Sequence, residues 1–128
     1  MKLLVAYDSA FSETMLPEAV KIAKAFDALV YLVRTCPPEA RGQDIEQLEH
    51  RLNEVRRDTF KKEGISCESH ILIRGMAPGE DLVKYAREKE VDQIIIGVRK
   101  RSAVGKIVFG STAQYIILEA HCPVLSVK

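Results

Sequence analysis

The residues with the clearest chemical use stand at two distant places. One is Asp8-Ser9, just after the first apolar run; the other is the stretch 94–112, IIIGVRKRSAVGKIVFGST. In the second stretch the apolar run Ile94-Ile95-Ile96 stops at Gly97 and a basic, polar loop follows. The loop closes at Gly110-Ser111-Thr112, where a helical pattern begins with Ala113, Ile116, Ile117 and Ala120. Glycine at 97 lets the backbone leave a strand at angles a side chain forbids, and lets a ligand come close. The first amides of a helix lack intrahelical acceptors, so at Gly110-Ser111-Thr112 they can point at an anion. Ser111 and Thr112 add hydroxyl donors, and Arg99, Lys100, Arg101 and Lys106 add positive charge. This chemistry suits a phosphate. The plainer alternative is a solvated connector whose Ser111 caps a helix, and the local pattern leaves both open.

Other phosphate and nucleophile signatures do not fit. Counting back from Gly105-Lys106, the first glycine of a Walker P-loop would fall on Lys100, and the hydroxyl position after the lysine is Ile107. The turn after the first apolar run, Asp8-Ser9-Ala10, lacks the Rossmann glycines, and neither Ser-x-x-Lys nor Gly-x-Ser-x-Gly occurs. No histidine is placed to activate Ser9, Ser12 or Ser111. Asp8 has no acidic neighbour of the kind a phospho-acceptor site uses. Nucleotidyl transferases of related architecture carry Ser-Gly-Gly-x-Asp-Ser or His-x-Gly-His, and both are missing.

The elements that must hold these residues alternate. Residues 2–7, KLLVAY, are apolar enough for a strand buried on both faces. Ser12 is a candidate N-cap for a helix with Leu16, Ala19, Val20, Ala23 and Phe26 on one face, and Pro17 pushes its start later. Residues 28–35 form a second strand. A long helix over about 44–62 carries Ile45, Leu48, Leu52 and Val55 on one stripe and ends at Gly64. Residues 67–74 read as a strand near a sheet edge, with His70 an exposed strand residue. Gly75 breaks the chain, and Pro78 opens a helix with Leu82, Val83 and Ala86 buried. Residues 92–97 and 123–127 are the fourth and fifth strands. Such alternation implies βαβ units and a mainly parallel, doubly wound sheet, with ligands bound beyond the carboxyl ends of the strands where the winding reverses. With strands 1 and 4 as central neighbours, Asp8 faces the 97–112 loop. There it can accept from a ribose hydroxyl or hold a divalent cation beside a phosphate.

Composition narrows the partners. The 128 residues, 47% hydrophobic and 29% charged, suit one soluble domain spanning 1–128. A net charge of +1 gives no bulk attraction to nucleic acid or an anionic membrane, and the Arg99-Lys100-Arg101 cluster has no interleaved aromatics. MKLLVAYDSA enters a strand directly, without signal-peptide features, and no apolar run reaches the ~20 residues of a membrane span. The three cysteines, Cys36, Cys67 and Cys122, are scattered, as reduced thiols of a cytoplasmic protein would be.

This pattern resembles the universal stress protein family. Its nucleotide-binding members carry Gly, two residues, Gly, nine residues, then Gly-Ser/Thr. Gly97 and Gly110-Ser111 stand in that register, with Lys100 in place of the second glycine. The likeness covers nearly the whole chain. It includes VAYDSAFSE, where Ser9 replaces the usual glycine after the aspartate, RGMAPGEDLVKYAREKEVDQIIIG before the loop, and LEAHCPVLSVK at the end. It implies an α/β fold of the adenine nucleotide alpha hydrolase-like kind: a five-stranded parallel sheet of order 3-2-1-4-5 with helices on both faces. It also implies homodimers joined through the last strand.

The same resemblance implies ATP or AMP as ligand, with Mg²⁺ or Mn²⁺ as an accompanying ion. The aspartate matching Asp8 contacts the nucleoside and can help with the metal. The position matching Thr35 lies near adenine. Gly97 and Gly110 let the loop approach the nucleotide, and Ser111 and Thr112 match the phosphate-contacting helix start. Tyr7, Ser9, Ile96, Val98 and Lys100 complete the implied nucleotide-binding set. Lys100 costs little if its backbone keeps a negative φ, and its ammonium can then reach a phosphate; if φ must be positive, the loop takes another path. The implied role is a cytoplasmic stress-response regulator, non-catalytic or a very slow ATPase, with an unknown protein partner. A nucleotide-independent protein-binding module of the same fold is the alternative that Lys100 favours.

Overall fold

A computed structural model describes residues 1–99 and 110–128 in full, and the backbone of 101–103 and 106–108. The elements run β1 (Lys2–Ala6), α1 (Ser12–Phe26), β2 (Leu29–Thr35), α2 (Gly42–Val55), β3 (Cys67–Leu72), α3 (Pro78–Glu88), β4 (Gln93–Gly97), β5 (Arg101–Ala103), β6 (Lys106–Val108), α4 (Ser111–Glu119) and β7 (Val124–Val127). Five strands form one sheet in the order β3-β2-β1-β4-β7, every pair parallel. This is the expected 3-2-1-4-5, with β7 as the fifth strand because a small antiparallel hairpin, β5-β6, interrupts the loop after β4. Its three-residue strands are too short to leave an alternating pattern in the sequence.

Strand alternation explains the two cores. Leu3, Val5, Val30, Leu32 and Ile95 face one side, where Met15, Ala19, Ile22 and Ala23 of α1 and Leu52 and Val55 of α2 cover them. Leu4, Tyr31, Val33, Ile94 and Ile96 face the other side, under Leu82, Val83 and Ala86 of α3 and Ala113 and Ile116 of α4. Leu3, Leu4, Ile94 and Ile95 are fully buried, as central strands with helices on both faces require.

Several boundaries differ from the sequence reading, each for a local reason. A 3₁₀ turn, Ser9–Phe11, precedes α1, and Asp8 rather than Ser12 supplies the capping side chain; Ser12 is the first residue of α1. Pro17 lies inside α1 instead of delaying it. Pro17 and Glu13 are both exposed, so the carbonyl that loses its amide partner meets water. Phe26, expected on the buried stripe, is 63% exposed at the helix end, where Asp27 turns the chain at φ 50°. The long helix is not uniform: α2 passes into a π turn, Arg56–Phe60, and a 3₁₀ turn, Lys61–Glu63, before Gly64 at φ 75°. The wider π turn carries Phe60, five residues after Val55, back onto the buried stripe, where it is fully enclosed. On α4, Ile117 is 46% exposed, and only Ala113 and Ile116 of the expected face are buried.

Candidate functional site

The carboxyl ends of β1, β2 and β4 and the starts of α3 and α4 enclose a cleft of about 550 Å³. That volume suits a small-molecule ligand. It lies where the winding reverses: β2 leads away from β1 on one side, and β4 pairs with β1 on the other. Val33, Ile96, Leu82, Ala113 and Ile116 supply an apolar wall between the sheet and the α3/α4 layer. Asp8, Arg34, Thr35, Arg99, Gly110 and Thr112 supply polar or open positions.

Of the residues singled out in the sequence, Tyr7, Asp8, Thr35, Ile96, Gly97, Gly110 and Thr112 line this one cleft. Asp8 and the glycine-led start of α4 are far apart in the chain, yet share it because β1 and β4 pair in register Leu3↔Gln93 to Val5↔Ile95. Ser9, Val98 and Ser111 do not line it. Ser9 is exposed in the turn after β1, and its carbonyl accepts from Ser12 Oγ at 3.1 Å. Val98 continues the alternation of Ile94 and Ile96 into the α3/α4 core, 5% exposed, and its amide donates to Val127 O at 2.7 Å. Ser111 is exposed at the first position of α4, between Gly110 and Thr112. Lys100 lies outside the described residues, as do the side chains of Arg101 and Lys106.

Asp8 has two uses. Its backbone is extended (φ −140°, ψ 122°), and its Oδ1 accepts from the Ala10 amide at 2.9 Å, capping the turn that carries Phe11. Among the described residues the second carboxylate oxygen has no hydrogen-bond partner. Among the described residues no group of three or more His, Cys, Asp or Glu side chains could hold a metal. A cation beside Asp8 would take most of its shell from phosphate oxygens and water, as Mg²⁺ commonly does.

The two loop glycines serve different ends. Gly97 does not have a positive φ; among the described residues the glycines that do are Gly64 and Gly75. Gly97 is needed because the Phe11 ring lies where its side chain would be. Gly110 adopts φ −62° and ψ 150°, open to any residue, and a Cβ there would meet no described atom within 4 Å. Its missing side chain leaves the mouth of the cleft open and the first amides of α4 accessible.

Sequence reasoning missed Phe11, Arg34, Pro78 and Leu82 as cleft residues. Pro78 and Leu82 were legible only as helix residues. Their placement depends on Arg74, whose Nε donates to Asp81 Oδ1 at 2.5 Å and Nη2 to the Asp81 carbonyl at 3.1 Å, while Nη1 reaches Glu88 at 3.0 Å. Asp81 is 2% exposed, so this pair pins the turn after β3 to the first turns of α3. A spacing of seven across a turn leaves no periodic signal. Arg99, read from sequence only as loop charge, has its guanidinium carbon 5.9 Å from the Phe11 ring centroid, a cation–π arrangement.

The universal stress protein family model matches residues 1–128. A universal stress protein of Thermus aquaticus is 31% identical over 134 residues, covering 98% of this chain and 97% of the relative. The solved universal stress protein of Archaeoglobus fulgidus is similar with a TM-score of 0.86 at 34% identity, covering 100% of this chain and 93% of that one. A further structure of the universal stress protein from that organism, in complex with dAMP, gives a TM-score of 0.83 at 32% identity, with 100% and 98% covered. Strand order, the cleft at the winding reversal and the end-to-end match agree: the chain belongs to the universal stress protein family.

Proposed function

We propose that the cleft binds an adenine nucleotide, AMP or ATP, and that the protein is a nucleotide-binding regulator of stress responses rather than an enzyme of ordinary turnover. One observation carries this reading: Asp8, the opening amides of α4 at Gly110 and Thr112, and an apolar wall share a cleft of about 550 Å³. The base packs on Val33, Leu82 and Ile96. Asp8 accepts from a ribose hydroxyl with its uncommitted oxygen. The phosphate sits at the start of α4, where unpaired amides, the Thr112 hydroxyl and the Arg99 guanidinium favour negative charge. The dAMP complex of the similar A. fulgidus protein supports the ligand class. Asp8 would help hold an Mg²⁺ or Mn²⁺ ion accompanying ATP, the ion offsetting phosphate charge, and hydrolysis would stay below about 1 s⁻¹, the low end of ordinary enzymes.

Homodimerisation through β7 is part of the proposal. Among the described residues β7 pairs within the sheet with β4 alone, which leaves one of its backbone edges without a described strand, and Leu118 of α4 is 70% exposed. No helix among the described residues is long and apolar enough to cross a membrane, and we place the protein in the cytoplasm. Calorimetry with AMP and ATP, with and without Mg²⁺, tests the central reading. Micromolar binding weakened by Asp8→Asn is expected. No heat at millimolar nucleotide, with partner capture indifferent to ATP, would replace it with a nucleotide-independent protein-binding role.

A further inference from the structure

The first two turns of α3 are one wall of the cleft. Pro78 and Leu82, four residues apart and so on one stripe of the helix, line it from the helix layer. Val33 and Thr35 at the end of β2 line it from the sheet. A flat base between these elements meets a wall whose height and rotation depend on how α3 is held.

That stripe is gripped on both flanks. On one flank stand Asp81, Tyr85 and Glu88, at the i, i+4, i+7 spacing of a single helix face. Arg74, two residues past β3, lies along them. Its Nε donates to Asp81 Oδ1 at 2.5 Å, its Nη2 to the Asp81 carbonyl at 3.1 Å, and its Nη1 to Glu88 Oε1 and Oε2 at 3.0 and 3.1 Å. Between them its guanidinium carbon is 5.9 Å from the Tyr85 ring centroid. A planar fork fixes points two turns apart, which a single ammonium cannot do. The Asp81 side chain is only 3% exposed, so α3 cannot rotate or slide without leaving a buried carboxylate unpaired. On the other flank Gly79 meets α4: a Cβ there would stand 3.1 Å from Cβ and Cδ1 of Tyr115. The missing side chain lets the two helices come that close.

We infer that Arg74 is a positioning residue for the base half of the cleft. It does not contact the nucleotide; it holds Leu82 and Pro78 at the height that packs on the adenine ring. The inference rests on the nucleotide reading above and deepens it. The base is read through packing that Arg74 maintains, and the phosphate through the start of α4. Among the described residues the hydrogen bonds of the Arg74 side chain all go to α3, while α4 has its own anchors in the core at Ala113 and Ile116. Loss of Arg74 therefore weakens the part of the affinity common to AMP and ATP and spares the increment that the extra phosphates add.

Calorimetry at fixed ionic strength with AMP and ATP tests it on the wild type, Arg74→Gln, Arg74→Lys, Leu82→Ala and the double variant Arg74→Gln/Leu82→Ala. In Arg74→Gln both nucleotides should bind at least about tenfold more weakly, with the ATP-to-AMP ratio changed by less than about threefold. Arg74→Lys should recover part of the loss. Because Arg74 acts through Leu82, the double variant should bind AMP within about threefold of the weaker single variant. Urea midpoints establish that each variant is folded. Should Arg74→Gln not fold, Glu88→Gln removes the exposed anchor alone and should cost about threefold for AMP at an unchanged ATP-to-AMP ratio. A folded Arg74→Gln, or in its place a folded Glu88→Gln, that binds AMP as the wild type does overturns the role. So do losses that multiply in the double variant, or an ATP-to-AMP ratio that collapses in Arg74→Gln; all three leave the nucleotide reading standing. Failure of AMP and ATP to bind the folded wild type overturns both.

Discussion

A Cβ built on Gly97 would lie 2.2 Å from Cδ2 of Phe11, so the glycine ending β4 and the aromatic ring after β1 compete for one space. The ring lines the cleft and lies beneath the Arg99 guanidinium. Gly97, Phe11 and Arg99 therefore act as a stack, and the glycine exists for packing rather than for an unusual backbone angle.

That stack gives the first prediction. Gly97→Ala should destabilise the protein by about 1–3 kcal/mol, the usual cost of overpacking, because the ring must swing out. It should also weaken nucleotide binding, since Arg99 loses its support. Phe11→Ala in the same chain removes the clash, so the double variant should regain most of the stability and little of the affinity. Urea unfolding and calorimetry on the two single variants and the double variant measure both effects. An unchanged midpoint in Gly97→Ala would mean the ring is free to leave.

Gly110 should behave in the opposite way. Its backbone accepts any residue, and a new Cβ meets no described atom. Gly110→Val should cost no more than about 1 kcal/mol, the difference between a tolerated and a poor N-cap. The added side chain would stand over the first amides of α4, so nucleotide affinity should fall at least about tenfold, as when one charge-assisted contact is lost. Equal losses in stability and in binding would contradict the open mouth described here.

Asp8 separates capping from binding. Asp8→Asn keeps an oxygen for the Ala10 amide and removes the charge; Asp8→Ala removes both. The asparagine variant should keep its unfolding midpoint and lose Mg²⁺-dependent ATP affinity. The alanine variant should lose about 1 kcal/mol of stability as well, the ordinary worth of an N-cap. Thermal melts with calorimetry on both variants distinguish the two roles. A destabilised asparagine variant would show that the charge itself holds the turn.

The fold was legible because strands buried on both faces leave continuous apolar runs, as at 94–96, and because Gly64 and Pro78 mark helix ends in ways backbone sterics require. The site was legible where glycine, aspartate and a helix start carry the chemistry themselves. Phe11 and Arg34 stayed hidden for a different reason. Each became a cleft residue only through which strand lies next to which, and β1 acquires β2 and β4 as neighbours through contacts distant in sequence. The π turn at Arg56–Phe60 was equally hidden, because the pattern of α2 continues up to it without a break. The hairpin after β4 is written in three-residue segments too short to show an alternating pattern.

The α3 face gives a prediction independent of any ligand. Tyr85 is 5% exposed, and its hydroxyl is buried without a hydrogen-bond partner among the described residues. Its ring meets Tyr31 edge-on at 6.1 Å, with His70, Arg74 and Lys89 around it. Burial, aided by the negative charge of Glu68, pushes the phenol up to about 12 from 10.0. Burial likewise pushes the Cys67 thiol up to about 12 from 9.0. In both cases the folded chain holds a proton that the unfolded chain releases, so this contribution is fully present below the unfolded values. It is lost as pH rises from about 9 towards 12, by at most about 1.4 kcal/mol per pH unit for each group. Tyr85→Phe removes an unpaired buried hydroxyl, so at pH 7 it should be neutral or stabilising. It should also flatten the loss of stability between pH 10 and 12, leaving the part due to Cys67, which begins nearer pH 9. Urea midpoints at pH 7, 10 and 11 for the wild type and Tyr85→Phe measure this. If the variant is destabilised at pH 7 and keeps the wild-type alkaline slope, the hydroxyl has a partner and ionises as readily in the folded chain as in the unfolded one.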